Sequence, residues 1–457
     1  MMPEVHIYID RSEAETWNHD EIDNLQGKIN TGEYSMSKVI IIGGGAAGMM
    51  AGVFAARNHH EVHILEKNEK LGKKVFITGK GRCNVTNACD TEELFPAMMS
   101  NPKFLYSSFY SFTPQDVMEF FEKAGVPLKV ERGNRVFPQS DHSSDIIRAL
   151  ERELKKAGAK IHLHTAVQEI VKKPITESVT DSVNTLESEA ALTESGSDAG
   201  KNRKGKKSSD IQQEKITGVI LTDGTFIEGD AVIVATGGFS YQSTGSTGDG
   251  YRFARELGLK VTDIAPSLVP LKTKEDYIPK LQGLSLKNTG LTIKNGKKVL
   301  YEDFGEMMFT HFGVTGPMIL SASAHIGAKL AKAPNGELSA YLDLKPALTK
   351  EQLDARILRE FEAGPNKQFK NVIGVLFPSS LTPVMIELGG IPAEKKIHDI
   401  SREERQHFID LIKAFPFTIT GMGEFKEAII TRGGVSVKEI NPGTMESKKN
   451  FRPLLRR

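Results

Sequence analysis

A glycine-rich turn constrains this sequence more than any other segment. The turn, Gly43-Gly44-Gly45-Ala46-Ala47-Gly48, lies between an apolar run, Val39–Ile42, and a helical pattern, Ala46–Arg57. In such a turn the first glycine permits the bend, the second lets a pyrophosphate approach the backbone, and the third lets helix and strand pack closely. Backbone N–H groups at the start of the helix would bind the phosphates. The pattern predicts a dinucleotide-binding fold whose cofactor contacts include Gly43, Gly45, Ala46, Ala47 and Gly48.

A carboxylate follows at the position that a nucleotide site needs. Glu66 ends a second apolar run, Val62–Leu65, where an acidic side chain can accept hydrogen bonds from ribose hydroxyls. The strand, the helix and Glu66 occur in the expected order. The alternative is a glycine turn in an unrelated α/β protein, and the combined pattern argues against it.

The uncharged stretch at residues 39–56 could be mistaken for a membrane span. About 18 apolar residues is near the lower limit for crossing a bilayer, but three consecutive glycines disfavour a helix there. We expect no signal peptide before it, since the first residues are polar and acidic, and no disulfide framework from two cysteines. The net charge of +1 gives no strongly basic surface for nucleic acid or membrane. We therefore expect a cytoplasmic protein with no membrane association and no stable protein partner.

The length of 457 residues suggests two or three units. We interpret residues 1–35 as a loose extension and residues 36–265 as the cofactor-binding domain. Residues 176–214 lack aromatic side chains and change from acidic to basic, which predicts a disordered insertion. Residues 266–416 predict an inserted substrate or cap domain of short strands followed by helices, and residues 417–457 return to the first domain. Helix caps are predicted at Thr113 and Ser401.

A second apolar strand favours FAD over NAD. Ala231–Ala235 follows a predicted β-meander and ends in Thr236-Gly237-Gly238, an arrangement that resembles the second FAD-contacting strand of the glutathione-reductase-like flavoproteins. The expected fold class is α/β: a Rossmann-like FAD-binding domain with a β-meander and an inserted mixed β/helical domain.

A narrower resemblance rests on four motifs. Residues 79–87, Gly-Lys-Gly-Arg-Cys-Asn-Val-Thr-Asn, look like the GxGRCNxTN signature of the BaiN/YhiN-like bacterial flavoproteins, a family of NAD(P)/FAD-dependent oxidoreductases that includes enzymes of aminoacetone oxidase type. Residues 244–250, 266–271 and 309–317 resemble the same family, and the matches run from about residue 36 to 447. The resemblance implies FAD as cofactor. Within the family, it implies reduction of a small enone, reduction of a uridine in ribosomal RNA, or oxidation of an amine such as aminoacetone.

Candidate site residues follow from these motifs. Arg82 is expected to face the pyrophosphate, and Asn84, Thr86 and Asn87 offer hydrogen-bonding groups near the flavin. The remaining expected cofactor contacts are Lys67, Lys74, Gly81, Cys83, Val167, Ala235, Thr236, Gly237, Gly238 and Asp249. Cys83 and Cys89 also raise the alternative of a redox-active pair, although five intervening residues and their context favour a small buried thiol. We expect no metal site.

Catalytic candidates are fewer. His311 lies in a glycine-bracketed motif and is a candidate acid or substrate ligand, unless it only holds its own loop. Arg432, before Gly433-Gly434, is a second candidate. No second glycine motif follows a strand, so NAD(P)H is expected to dock transiently as reductant, and the substrate is expected to be a small molecule or ribosomal RNA.

The last residues depart from the family pattern. Relatives continue after about residue 447 with a strand, a Gly-Gly-Tyr-Asn run and a helix that contact the flavin, and this chain ends differently. We expect a truncated FAD-binding segment, which leaves open a non-catalytic remnant that binds nucleotide or nothing.

Overall fold

The computed structural model describes residues 36–174 and 214–449. The predicted loose extension and nearly all of the predicted disordered insertion lie outside these residues. A parallel sheet carries the glycine turn and has the strand order β10-β1-β2-β6. Its strands are β1 (Lys38–Ile42), β2 (Glu61–Leu65), β6 (Lys160–His162) and β10 (Ala231–Val234).

The apolar run in β1 is explained by layers that cover both faces of the sheet. Val39 and Ile41 pack with helices α1 (Ala46–Arg57) and α6 (Ser143–Lys156), because alternate side chains of a strand point to the same face. Ile40 and Ile42 pack on the other face against the antiparallel meander β7 (Val167–Pro174), β8 (Glu214–Leu221) and β9 (Phe226–Glu228). A strand buried on both faces is apolar without interruption.

Short elements complete this first lobe. Thr113 caps helix α5 by accepting from the N–H of Asp116, whose carboxylate accepts from the N–H of Thr113, as the sequence predicts. Strands β3, β5 and β4 form a small sheet in that order. The bounds are α2 (Lys73–Ile77), α3 (Thr91–Leu94), α4 (Tyr106–Ser111), α5 (Pro114–Lys123), α7 (Asp249–Glu256), β3 (Thr86–Asn87), β4 (Leu128–Glu131) and β5 (Arg135–Pro138).

The second lobe is a closed six-stranded barrel with helices packed against it. Its strands follow the order β12-β15-β14-β13-β16-β17, and barrel and helices share one apolar core. Ser401 forms the predicted capping box with Glu404. The bounds are β12 (Leu271–Thr273), β13 (Ser285–Asn295), β14 (Lys298–Thr310), β15 (Gly313–Thr315), β16 (Leu338–Asp343), β17 (Phe415–Met422), α8 (Tyr277–Lys280), α9 (Pro317–Leu330), α10 (Lys350–Glu362), α11 (Phe369–Ile373), α12 (Thr382–Gly389) and α13 (Arg402–Lys413).

The predicted second boundary at residue 416 is corrected by this topology. Strand β17 pairs with β12 and β16 inside the barrel, so the chain leaves the second lobe only after Met422. The two crossings between lobes are made by β11 (Ala265–Ser267) and β18 (Ile430–Arg432), which pair antiparallel. Within residues 36–174 and 214–449, no helix is both long and apolar enough to cross a membrane.

Candidate functional site

A cleft of about 3720 Å³ lies between the two lobes. One wall contains the carboxyl ends of β1, β2 and β10, where ligands bind in open α/β sheets. The other contains one face of α9 and the end of β18. Pockets for single small ligands measure about 300–1,000 Å³, so the cleft has room for a dinucleotide and a second molecule together.

The three motif glycines have different surroundings. Gly43 has φ +108°, and a Cβ there would lie 2.5 Å from the carbonyl oxygen of Ala235. A Cβ at Gly48 would lie 1.9 Å from the carbonyl oxygen of Gly43, so a side chain would separate helix and strand. A Cβ at Gly45 would meet nothing within 4 Å. Because Gly45 lines the cleft, a side chain there would occupy ligand space and leave the packing intact.

The start of α1 offers donors to the cleft. The first intrahelical bond runs from the N–H of Met49 to the carbonyl of Gly45, and no side chain caps the helix. The amides of Ala46 and Ala47 precede that bond, and both residues line the cleft. Unpaired N–H groups and the positive end of the helix dipole attract an anion. The cradle therefore fits the pyrophosphate of a dinucleotide.

Glu66 is buried, with 7% of its surface exposed. Its Oε2 accepts from the N–H of Gly44 at 2.7 Å, and its Oε1 accepts two bonds from Asn68, at 2.8 and 2.6 Å. A carboxylate offers about four acceptor directions, so Oε2 retains one. That direction is available for a ribose hydroxyl. Of the other three, one holds the glycine turn through Gly44 and two hold Asn68.

Two lysines join the loops at this end of the cleft. Lys67 donates to Asp249 at 2.6 Å and to Thr247 at 2.5 Å. Lys74 donates to Ser240 at 2.7 Å. Lys67, Lys74 and Asp249 all line the cleft, and their mutual bonds hold the strand ends and the loop after β10 together.

The signature loop divides between the cleft and the surface. Cys83, Asn84, Thr86 and Asn87 line the cleft, whereas Gly81 does not. Arg82, which the sequence predicts to face the pyrophosphate, does not line the cleft. Its guanidinium is held by two carboxylates, Glu131 and Asp141, with 2.7 Å between Nε of Arg82 and Oδ1 of Asp141, and it lies over the ring of Phe137.

Neither cysteine has the character of a redox nucleophile. Cys83 and Cys89 are free thiols that line the cleft. Burial raises the pKa of the Cys83 thiol, and burial together with Glu93 raises that of Cys89. Raised pKa values keep both thiols protonated at neutral pH, which disfavours thiolate chemistry.

The loop after β10 forms the floor of the cleft, to which Val167 of β7 also contributes. Ala235, Thr236, Gly237 and Gly238 line it. Thr431 of the second crossing accepts from the N–H of Phe239 at 2.8 Å, and a Cβ at Gly238 would lie 2.7 Å from its Oγ1. The floor is thus fixed to the strand that carries Arg432.

The wall formed by α9 and the end of β18 contains Arg432 and a second catalytic candidate that differs from the one predicted from the sequence. Arg432 lines the cleft, and a Cβ at Gly327 of α9 would lie 3.4 Å from its Nη1. His311 is exposed in the turn between β14 and β15 and does not line this cleft, so the cleft gives no support to its expected role as acid or substrate ligand. A histidine that sequence reasoning missed, His325, lines the cleft from α9. The sequence shows that residues 321, 324, 325 and 328 have the spacing of one helical face. It does not show that this face lines the cleft.

Family comparisons agree with this architecture. The HI0933-like protein Rossmann domain matches residues 37–205, and the HI0933-like protein barrel and H2TH domain matches residues 265–430. The chain belongs to the HI0933-like family. This confirms the family and the fold class predicted from the sequence.

Named relatives cover most of the chain. A 3-dehydro-bile acid delta(4,6)-reductase from Clostridium scindens is 28% identical over 90% of this chain and 90% of its own. A ribosomal RNA dihydrouridine synthase from Haemophilus influenzae is 28% identical over 90% of this chain and 89% of its own. Among solved structures, 3-ketosteroid delta1-dehydrogenase from Sterolibacterium denitrificans covers 92% of each chain at 13% identity, with a TM-score of 0.41.

Family membership and the nucleotide cradle agree on the class of protein. As predicted, the chain is an FAD-dependent oxidoreductase. The wall of α1, Glu66 and the loop after β10 would hold FAD, and the wall of α9 and Arg432 faces the remaining space of the cleft.

Proposed function

We propose that this protein reduces a carbon–carbon double bond conjugated with a carbonyl, using FAD that NAD(P)H reduces. Reduction of a bile-acid enone and of a uridine, the activities of the named relatives, share this chemistry. The observation that carries the proposal is the position of Arg432, a cation that lines the cleft beside Gly327 of α9. In the described residues no hydrogen bond or ion pair of its guanidinium is found.

Arg432 suits the carbonyl end of such a substrate. FAD held by the cradle would, when reduced, supply hydride chemistry. Uptake of a hydride by the far carbon of the conjugated system places negative charge on the carbonyl oxygen. A guanidinium directed at that oxygen stabilises the charge. Arginine stays protonated in proteins, so it binds the oxygen and a different group must give the proton.

The lining of the cleft favours an apolar small molecule as substrate. Residues 94–112 contribute a set of apolar side chains to one side: Leu94, Met98, Phe104, Leu105, Phe109 and Phe112. Predominantly apolar walls with a few polar groups are typical of small-molecule sites. We propose a hydrophobic cyclic enone as the substrate class.

A uridine in ribosomal RNA is the second candidate. Lys80 and Arg135 line the cleft on the side of the signature loop and are exposed, where they suit phosphates.

Two parallel experiments distinguish a cyclic enone from ribosomal RNA as the substrate. Purified yellow protein is supplied with NADPH or NADH and a cyclic enone, and enone loss is followed. In parallel, ribosomal RNA from cells with and without the gene is compared by mass spectrometry for a dihydrouridine. Enone turnover with unchanged RNA supports the first candidate, and failure of both arms contradicts the proposal.

The role of Arg432 gives a first prediction. Arg432→Ala should lower kcat/KM for the enone by about a hundredfold to a thousandfold, the usual loss for one charge-stabilising group. Arg432→Lys should recover part of it, since a point charge remains. FAD content should equal that of the wild type, because Arg432 is not part of the cradle. Equal kcat/KM in the alanine variant and the wild type would show that Arg432 takes no part in the reaction.

A further inference from the structure

The helix α9 presents a face of small and polar residues to the cleft. Ser321, Ala324, His325 and Ala328 follow the three- and four-residue spacing of one helical face, and each lines the cleft. Among residues 265–432 that line the cleft, the ionisable side chains are His325, Lys329 and Arg432. A lysine and an arginine are poor proton donors at neutral pH. His325 is therefore the side chain on this wall best suited to donate a proton at neutral pH.

The position of His325 is set by its neighbours. Its ring lies 4.8 Å from the ring of Tyr301 on β14, centroid to centroid. Tyr301 is fixed in turn, because its hydroxyl donates to Asp303 at 2.6 Å. Packing against a held ring orients the imidazole, and His325 remains exposed and lines the cleft.

The surroundings of His325 shift the pKa of its imidazole and that of the neighbouring Tyr301. Burial and Lys329 lower the pKa of the imidazole, and Asp303 opposes this shift. A lowered pKa makes the imidazolium a stronger acid but leaves less of the ring protonated at neutral pH, so the exposed ring must take up a proton from water before it donates one. Burial and the bond to Asp303 raise the pKa of Tyr301, so its hydroxyl stays protonated and is not a competing acid.

We propose that His325 is the catalytic acid that protonates the substrate carbon next to the carbonyl. The inference rests on the proposed enone reduction. In that reaction the far carbon gains a hydride from the reduced cofactor, and the near carbon gains a proton from the imidazolium of His325. The double bond becomes a single bond, the substrate is reduced by two electrons, and His325 recovers its proton from solvent.

The first test asks whether substrate covers His325. The FAD-loaded protein is treated with diethylpyrocarbonate, with and without a saturating cyclic enone and with the flavin oxidised, and modified histidines are mapped by mass spectrometry. His325 should be modified in the free protein and protected by the enone. His311 is exposed but outside the cleft, so its modification should not change, and it is the internal control. Equal modification of His325 in both samples would overturn the proposal.

The second test separates proton donation from packing. Reduced His325→Gln and His311→Gln proteins are mixed anaerobically with the enone or with ferricyanide, and flavin reoxidation is followed by absorbance. With the enone, His325→Gln should be slower by about a hundredfold to ten-thousandfold, the range for a general acid, and the KM should change little. With ferricyanide, which takes electrons without carbon protonation, both variants should match the wild type.

The outcomes remain distinguishable from failure of the proposed function. If wild-type protein reduces no enone, the reaction itself is wrong. If the wild type reduces the enone and His325→Gln does so equally fast, the reaction stands and His325 is not its acid. If His325→Gln is slow with both acceptors, its effect is structural and the proposal fails.

Discussion

The two walls of the cleft are built from different parts of the polypeptide. At the phosphate cradle the first lobe presents backbone: the open side of Gly45 and the amides of Ala46 and Ala47. The wall of the barrel lobe presents side chains, His325 and Arg432, on a helix and a crossing strand. Backbone geometry serves a cofactor whose phosphates are the same in every enzyme, whereas side chains serve a substrate that differs among relatives.

This difference explains which parts of the site could be predicted. A backbone cradle requires glycine at fixed spacings, so its residues are adjacent in sequence and readable as a motif. His325 and Arg432 are separated by more than a hundred residues and meet the cleft only through the barrel topology. His311 stood in a conspicuous motif, yet its glycines serve the barrel: a Cβ at Gly313 would lie 2.0 Å from the carbonyl oxygen of Leu271.

The fold was predictable to a similar extent. Apolar β1 and the helix caps at Thr113 and Ser401 follow from local patterns. The boundary near residue 416 was misplaced because β17 is apolar, contains Gly421 and is followed by Gly423, which looks like a return to the first domain. Only its pairing with β12 and β16 assigns it to the barrel.

The largest expected effect is at the backbone wall. Gly45→Val should abolish FAD retention, because the branched side chain would fill the open space in front of the amides of Ala46 and Ala47. The fold should persist, since Gly45 has φ −78°, which valine adopts readily. Flavin absorbance per mole of purified protein measures retention. Melting temperature with FAD removed measures the fold.

A matched control exists in the barrel lobe. Gly374 also has open space at its Cβ position and φ −57°, and it is exposed away from the cleft. Gly374→Val should retain FAD at the wild-type level. Stoichiometric flavin in purified Gly45→Val protein would show that the cofactor lies elsewhere. The assignment of the backbone cradle to FAD would then be wrong.

Glu66 tests a smaller effect on the same wall. Glu66→Ala should weaken FAD binding by about 1.5–3 kcal/mol, the worth of a hydrogen bond to a charged group, or roughly tenfold to a hundredfold in Kd. It should also lower stability without FAD, because the buried N–H of Gly44 loses its acceptor. Titration of the FAD-free protein with FAD measures the first effect and thermal melting the second. A lower melting temperature with unchanged Kd would restrict Glu66 to holding the turn.

Substitution of Arg82 is expected to change FAD binding least. It tests whether side chains of the signature loop, as well as backbone amides, contact the cofactor. The signature motif suggests a cofactor contact, but the guanidinium is bound to Glu131 and Asp141 and does not line the cleft. Arg82→Ala should therefore leave the Kd for FAD unchanged and lower the melting temperature slightly, since partly exposed ion pairs contribute little to stability. Asp141→Asn should give a similarly small change in melting temperature, because both substitutions weaken the same ion-pair cluster. If Arg82→Ala loses FAD and Asp141→Asn does not, the arginine reaches the cofactor when it binds, and side chains as well as backbone form the phosphate wall.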